Sequence, residues 1–361
     1  MNKSKGDTPQ SIMIIGGGIA GTTAADRLGR SGMTVHLIEK NDAIGGRVKN
    51  MGCKATDKCM RCNICVANET FRNIINRSNI TIHTSTELVG LQKGENGNRF
   101  TGSLKNGSGV QEIDTDTVVI AIGYEPYDPK ENSSYKYGSI KNIITGAEVE
   151  KQLKEKQSIT RASDGKEPKR TAFIQCVGSR TEEIFRRPED TDYCSTVCCS
   201  YALRMAQRMK YQSEESEITV FYMDIQNFGK GFNALFNECK KNIRFIRSRP
   251  FEVNPLPGDK VSVRYVAEEA LSDDQGKVCE EEFDLLVLSV GIRPPLGAVD
   301  MADRLSVALD DQGFFGLKGG RALSELHAEG IYAIGAGESP KDIAGSIAQA
   351  EAISASILSN L

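Results

Sequence analysis

Short apolar runs that stop at a glycine recur along this chain, separated by segments of helical period. Ser11–Ile15 is the first run, and Gly16-Gly-Gly-Ile-Ala-Gly21 then opens a helix-period stretch through Gly29. Thr34–Ile38 reads as a second strand that ends at Glu39. Residues 117–123, 283–291 and 330–335 repeat the strand-then-glycine pattern, and 341–361 reads as a long helix of small residues. Strands alternating with helical stretches predict α/β units around parallel sheets. The repetition predicts two Rossmann-like dinucleotide-binding-type domains. Residues 158–170 form a polar linker with Gly165 and Pro168, and Pro294-Pro295 marks a return. A discontinuous domain over 10–160 and 296–361 is therefore expected, with a second domain, 166–295, inserted.

The first glycine run is a G-x-G-x-x-G fingerprint in strand–turn–helix–strand context, with an acidic residue about 20 positions on. Gly16 permits the tight turn, Gly18 lets backbone approach a pyrophosphate, and Gly21 allows close helix–strand packing. Glu39 can accept from a ribose hydroxyl. Gly45-Gly46-Arg47 follows as a second glycine pair, with Arg47 a candidate for phosphate or flavin.

Composition narrows the classes. The 361 residues carry a net charge of −3, with 39% hydrophobic and 26% charged positions. Nothing there calls for nucleic acid or an anionic membrane. No apolar run approaches the roughly 20 residues that span a bilayer. The polar segment 1–10 does not read as a signal peptide, so the expected location is cytoplasmic. His36, His83 and His327 belong to no visible nucleophile–base pair and read as structural or surface residues.

Ten cysteines without an export signal suggest metal ligation or redox chemistry rather than structural disulfides. Cys239 and Cys279 stand alone and read as buried or half-buried thiols. The other eight fall into two groups. Cys176 ends a strand in Phe173-Ile-Gln-Cys-Val-Gly-Ser-Arg180, where a second phosphate loop would stand. Cys194, Cys198 and Cys199, in Tyr193-Cys-Ser-Thr-Val-Cys-Cys199, open a helical segment expected over 195–210. Cys194 and Cys198 would share its face. Four thiolates suit an iron–sulfur cluster; zinc, a redox pair or a vicinal disulfide are the alternatives. Cys53, Cys59, Cys62 and Cys65 form C-x₅-C-x₂-C-x₂-C, which suits a second cluster, zinc, or thiols acting as a redox pair or sulfur acceptor. Without a second G-x-G-x-x-G, direct NAD(P)H oxidation is not expected.

Several long motifs together resemble the A-type subunits of heterodisulfide reductase and their shorter relatives. They are Ser163-Asp-Gly-Lys-Glu-Pro-Lys-Arg170, the two segments around Cys176 and Cys194–Cys199, Phe228-Gly-Lys-Gly-Phe232, and Pro340-Lys-Asp-Ile343 with Ala348-Gln-Ala350. The resemblance implies a thioredoxin-reductase-like core, the FAD-dependent pyridine nucleotide-disulfide oxidoreductase architecture. It implies FAD in the first domain, touched by Gly16, Gly18, Ile19, Ala20, Gly21, Glu39, Lys40, Gly46, Arg47, Ala121, Gly123, Gly335 and Ile343. It also implies a [4Fe–4S] cluster on Cys176, Cys194, Cys198 and Cys199 in the inserted domain. Lys230 is the candidate cation beside the flavin, against the alternative of a surface lysine in a turn.

Two departures stand out. The ferredoxin modules common in the family are missing, so electrons must pass to other proteins, such as relatives of the B and C subunits or ferredoxin-type carriers. The chain also has Gly335-Ala336-Gly337 where the thioredoxin-reductase pattern has Gly-Asp near the ribityl chain. The expected function is an electron-transfer subunit of the small sulfur-oxidising type, homodimeric by resemblance. The rivals are the quinone-interacting sulfate-reducer type, a stand-alone flavin disulfide reductase using NAD(P)H or ferredoxin, and a structural assembly component.

Overall fold

The computed structural model describes residues 10–94, 100–181, 190–226, 229–267, 276–316 and 329–360. The chain divides into two compact units: residues 1–49, 63–125 and 294–361, and residues 50–62 and 126–293. It begins with β1 (Ser11–Ile15), α1 (Ile19–Arg30) and β2 (Thr34–Ile38). Then come α2 (Ile64–Ile75), β3 (Ile80–His83), β4 (Glu87–Lys93), β5 (Phe100–Asn106), β6 (Gly109–Thr115) and β7 (Thr117–Ile120). The two-residue strand β8 (Glu125–Pro126) stands at the unit boundary.

The second unit continues with β9 (Ile143–Thr145), α3 (Gly146–Lys156), β10 (Arg170–Val177) and α4 (Cys198–Gln212). It adds β11 (Glu217–Tyr222), α5 (Phe232–Cys239), β12 (Arg244–Arg247) and β13 (Glu252–Leu256). It closes with β14 (Lys260–Val266), β15 (Val278–Phe283), β16 (Leu285–Val290) and β17 (Ile292–Arg293). The return to the first unit supplies α6 (Ala298–Leu305), β18 (Ile331–Ala333) and α7 (Ile343–Ser359).

Each unit has a five-stranded parallel sheet and a three-stranded antiparallel meander. In the first unit the parallel order is β18-β7-β1-β2-β3, and the meander is β4-β5-β6. In the second the order is β12-β11-β10-β16-β9, with β13-β14-β15. The central strand β1 explains why its sequence is a continuous apolar run. Ile12 and Ile14 enter a core with Leu28 of α1 and Ile353 of α7, whereas Met13 and Ile15 enter the opposite core with Leu104 and Phe315. A parallel strand buried on both faces has no polar side to show. β10 repeats this, with Ala172 and Ile174 in one core and Phe173 in the other.

Two boundaries differ from the sequence expectation. Residues 126–160, expected in the first domain, lie in the second unit, because β9 pairs with β16 through Ile143, Ile144 and Thr145. A three-residue strand is too short to show periodicity. Residues 50–62 also lie in the second unit. There a Cβ on Gly52 would meet backbone carbon of Leu153 at 2.4 Å, and Lys54 pairs with Glu150 of α3. Among the described residues, no helix is long and apolar enough to cross a membrane.

Candidate cofactor sites

At the carboxyl end of β1 the backbone turns into α1 through Gly16–Gly18. Gly16 has φ +109°, and a Cβ there would lie 2.3 Å from the Ala121 carbonyl oxygen. A Cβ on Gly21 would lie 2.0 Å from the Gly16 oxygen. Both positions are closed by packing. Gly18 differs: it is the N-cap of α1, lacks a capping side chain, and would have nothing within 4 Å of an added Cβ. The first turn of α1 holds no acidic residue. An uncapped helix start facing open space is a site for an anion. The Glu39 carboxylate, 4% exposed, accepts from the Gly17 N–H at 2.9 Å and from the Asn41 N–H and Nδ2 at 2.8 and 2.5 Å, which leaves a lone pair on Oε2 for a ribose hydroxyl.

The second glycine pair folds over this turn. The Gly45 N–H donates to the Gly17 oxygen at 2.8 Å, and a Cβ on Gly46 would lie 3.0 Å from the Gly18 Cα. Gly335, at φ +73°, packs on the Ala20 side chain, while Gly123 faces open space. These residues fit the pyrophosphate of a dinucleotide. Arg47 instead donates from Nε to the Tyr124 oxygen at 3.0 Å and pairs with Glu125 at 2.9 Å. Lys40 is exposed, Ile19 and Ile343 are half-buried first residues of α1 and α7, and Ala121 is buried. Gly18→Ala therefore separates fold from ligand. The apoprotein should keep its stability within about 0.5 kcal/mol. FAD affinity, measured by flavin fluorescence titration, should fall at least tenfold because a methyl group occupies the phosphate approach.

The second unit builds its strand-to-helix connection differently. Residues 178–197 separate β10 from α4, where three residues separate β1 from α1. Cys176 sits in a register irregularity of β10 at φ +59°, a left-handed conformation that re-aims its side chain. Cys198 and Cys199, 1% and 2% exposed, occupy the first turn of α4, whose N-cap Val197 supplies no capping side chain. The expected helix start at 195 is too early. Cys194 lies in the loop before α4, where its sulfur accepts the Thr196 N–H at 3.3 Å, so it shares no helix face with Cys198. Thr196 is also left-handed, at φ +60°.

The four thiols influence one another. Hydrogen bonding to Cys198, with Arg180 and Arg249 nearby, brings Cys176 down to about 7. Hydrogen bonding to Cys198 also lowers Cys199. Hydrogen bonds to both neighbours and complete burial push Cys198 well above the ordinary thiol value, and burial raises Cys194. Arg180 is held by Asp224, and Arg249 donates to the Cys176 carbonyl at 3.2 Å. Four soft donors at a helix start with two guanidinium groups nearby match the demands of an anionic iron–sulfur cluster. Among the described residues no three His, Cys, Asp or Glu side chains stand in metal-holding geometry, so ligation requires these thiols to rotate inward. The glycine that follows β10 is packed. A Cβ on Gly178 would lie 2.1 Å from the ring of Tyr127, which is 1% exposed.

The other cysteine group is divided. Cys53, Cys59 and Cys62 lie in the second unit, and Cys65 is the second residue of α2 in the first. Cys53, Cys59 and Cys65 are exposed and Cys62 is half-buried. The loop carrying the first three is fastened to helices of its own unit. Arg204 of α4 donates to the Met60 oxygen at 2.9 Å and to Ser200 Oγ at 2.6 Å. Lys230 lies in an exposed turn before α5, in the second unit; Phe228 of its motif lies outside the described residues. His36 Nδ1 and His83 Nε2 stand 3.3 Å apart, and His327 lies outside the described residues. Cys239 is buried and Cys279 half-buried. Sequence reasoning did not single out Tyr127, Arg204 or the pair Glu338–Lys341; only the charge spacing at 338 and 341 offered a signal.

Residues 10–130 match the pyridine nucleotide-disulphide oxidoreductase family. The fold is that of a thioredoxin reductase: the thioredoxin reductase of T. acidophilum superposes with a TM-score of 0.61 at 18% identity, covering 97% of this chain and 99% of that one. These two results define the architecture, that of the pyridine nucleotide-disulphide oxidoreductases. More particularly, the chain is similar over nearly its whole length to the A-type subunits of heterodisulfide reductases. It is 32% identical to the second iron-sulfur A-type subunit of the CoB–CoM heterodisulfide reductase of Methanopyrus kandleri, over 97% of this chain and 64% of that one. It is 29% identical to the A-type subunit of the H(2):CoB–CoM heterodisulfide,ferredoxin reductase of Methanothermobacter marburgensis, over 98% and 64%. The chain thus spans less than two thirds of these relatives. The first alignment runs over 437 residues against a chain of 361, so the relative carries segments absent here.

Proposed function

We propose that this protein is a FAD- and [4Fe–4S]-containing electron-transfer subunit of a heterodisulfide-reductase-like complex. The observation that carries the reading is the contrast between the two strand-to-helix connections. The first unit reaches α1 in three residues through an open glycine N-cap, Gly18, whereas the second takes residues 178–197 to reach α4 and assembles four thiols there. FAD would supply two-electron exchange and an iron–sulfur cluster one-electron exchange. The chain's own groups do the rest. Gly18 and the start of α1 hold pyrophosphate, and Glu39 orients the adenosine ribose. Cys176, Cys194, Cys198 and Cys199 hold the cluster while Arg180 and Arg249 offset its negative charge.

Cys53, Cys59 and Cys62, with Cys65, would extend the path towards partners resembling the B and C subunits or ferredoxin-type carriers. The names of the relatives, which include ferredoxin and the CoB–CoM heterodisulfide, support such partners. A cytoplasmic homodimer working in sulfur oxidation is the finer form of this reading. A second reading, a flavin disulfide reductase acting through Cys59 and Cys62 or through Cys62 and Cys65, is favoured only by the exposure of Cys59 and Cys65. Iron and acid-labile sulfide analysis of anaerobically purified protein decides between them. About four or eight of each per chain, with no flavin bleaching by NAD(P)H, is expected. Absence of iron together with rapid bleaching would sink the proposal.

A further inference from the structure

The irregularity of β10 that re-aims Cys176 involves a second side chain whose burial has no local explanation. Ile174 pairs with Leu288 and Val177 with Val290, so two residues of β10, Gln175 and Cys176, stand against one residue of β16, Ser289. Gln175 is 2% exposed, and neither its Nε2 nor its Oε1 has a hydrogen-bond partner among the described residues. The Ser289 hydroxyl, fully buried, is likewise unpartnered. A lone buried hydroxyl is weak evidence, since Thr171 at the other end of β10 has one too. A primary amide is different. It carries two N–H donors and a carbonyl acceptor, and each end left unpaired in the interior is destabilising. A position with no use for an amide would hold leucine or methionine.

The strand itself says what the amide faces. Alternation sends Ala172 and Ile174 into one core, with Phe221 and Val263, and Phe173 into the other, with Ala202 and Leu203 of α4. Leu285 and Val287 of β16 enter that same α4 core, which puts Ser289 on the α4 side. Gln175 lies two residues beyond Phe173 and against Ser289, at the end of β10 that meets the helix start. The hydrogen bond between Cys176 and Cys198 shows that meeting, and Cys198 and Cys199 form the first turn of α4 there. The unsatisfied amide is thus buried beside the four thiols, and its N–H groups require an acceptor. The sulfurs of an iron–sulfur cluster carry negative charge and accept such bonds more strongly once reduced, so a donor placed there raises the reduction potential.

We propose that Gln175 is a cofactor-binding residue that donates an Nε2 hydrogen bond to a sulfur of the cluster held by Cys176, Cys194, Cys198 and Cys199, and so raises its potential. Oε1 then accepts from Ser289, the positioning residue, and all three orphaned atoms are paired. The inference rests on the cluster reading above. Its test is a redox titration of anaerobically purified protein, following by electron paramagnetic resonance the cluster signal that Cys198→Ser abolishes. Gln175→Met nearly keeps the volume and removes the donor. It should retain the wild-type iron content and favour the oxidised cluster about tenfold more, a midpoint about 59 mV lower for a one-electron couple. Ser289→Ala should lower the midpoint by less. The iron-free Q175M protein should unfold in urea no more easily than iron-free wild type, because the amide it lacks has no partner there. An unchanged midpoint overturns the inference. A shift matched by lost stability of the iron-free variant also overturns it, since Gln175 would then be a support of the strand. If Q175M assembles no cluster, wild-type protein carrying ¹⁵N in its glutamine side chains decides. Hyperfine spectroscopy of its reduced cluster should show a coupling to amide nitrogen, and absence of that coupling overturns the inference. Wild-type protein without iron would instead bring down the functional reading itself.

Discussion

Cys198→Ser will remove about four irons and four acid-labile sulfides per chain while FAD remains bound. Cys198 is the thiol to change because it is buried at the centre of the set, hydrogen-bonded to both Cys176 and Cys199. A serine oxygen fills nearly the same volume but is a hard, high-pKa donor that serves iron poorly. The volume match keeps the fold, so the loss will report ligation rather than unfolding. The cradle at Gly16–Gly21 shares no residue with the thiol set, which is why flavin content should hold. Cys279→Ser, at a half-buried thiol of the meander strand β15, is the control and should change neither quantity. Iron, sulfide and flavin assays on the two variants, backed by low-temperature electron paramagnetic resonance, provide the check. Retention of all iron in the Cys198 variant would move the cluster elsewhere.

Lys54→Met should destabilise the second unit by about 3–5 kcal/mol at pH 8, the usual consequence of stripping one partner from a buried ion pair. Lys54 is 2% exposed, and its ammonium sits 2.5 Å from Glu150 Oε1 and 2.6 Å from Oε2. Burial already pushes the Glu150 carboxyl above its ordinary value, although Lys54 opposes this. Without Lys54 that upward shift grows. A raised folded-state value means stability that is intact at low pH and lost as pH rises, so the penalty should shrink from pH 8 towards pH 5. Pairing Lys54→Met with Glu150→Leu should recover most of it, because no buried charge is left. Urea unfolding at both pH values measures these differences, and a pH-independent penalty would point to lost packing instead. The pair also anchors the loop of Cys53, Cys59 and Cys62 to α3. The single variant should therefore speed alkylation of Cys62, the half-buried member.

These two residues show where sequence reasoning ended. Cys198 could be singled out because its neighbours Cys194 and Cys199 lie beside it in the chain. Lys54 could not, since its partner stands 96 positions away. The strand β1 and the turn Gly16–Gly21 were legible because burial on both faces and glycine geometry are local demands that the residues display themselves. The helix start at 198 was misread because the thiol spacing suited a helix, whereas the left-handed Thr196 breaks it. β9 went unseen because three residues carry no period; its place comes from pairing with β16.

By itself the sequence determined the two-domain α/β class, the dinucleotide fingerprint with Glu39, and the clustering of eight thiols in two short segments. Each of those rests on residues close together in the chain, where spacing translates directly into geometry. Only the tertiary structure decided that Cys65 belongs to the first unit and Cys53, Cys59 and Cys62 to the second, and that Tyr127 closes the space over Gly178. Those are contacts among distant residues, and their existence depends on which surfaces the folded chain presses together.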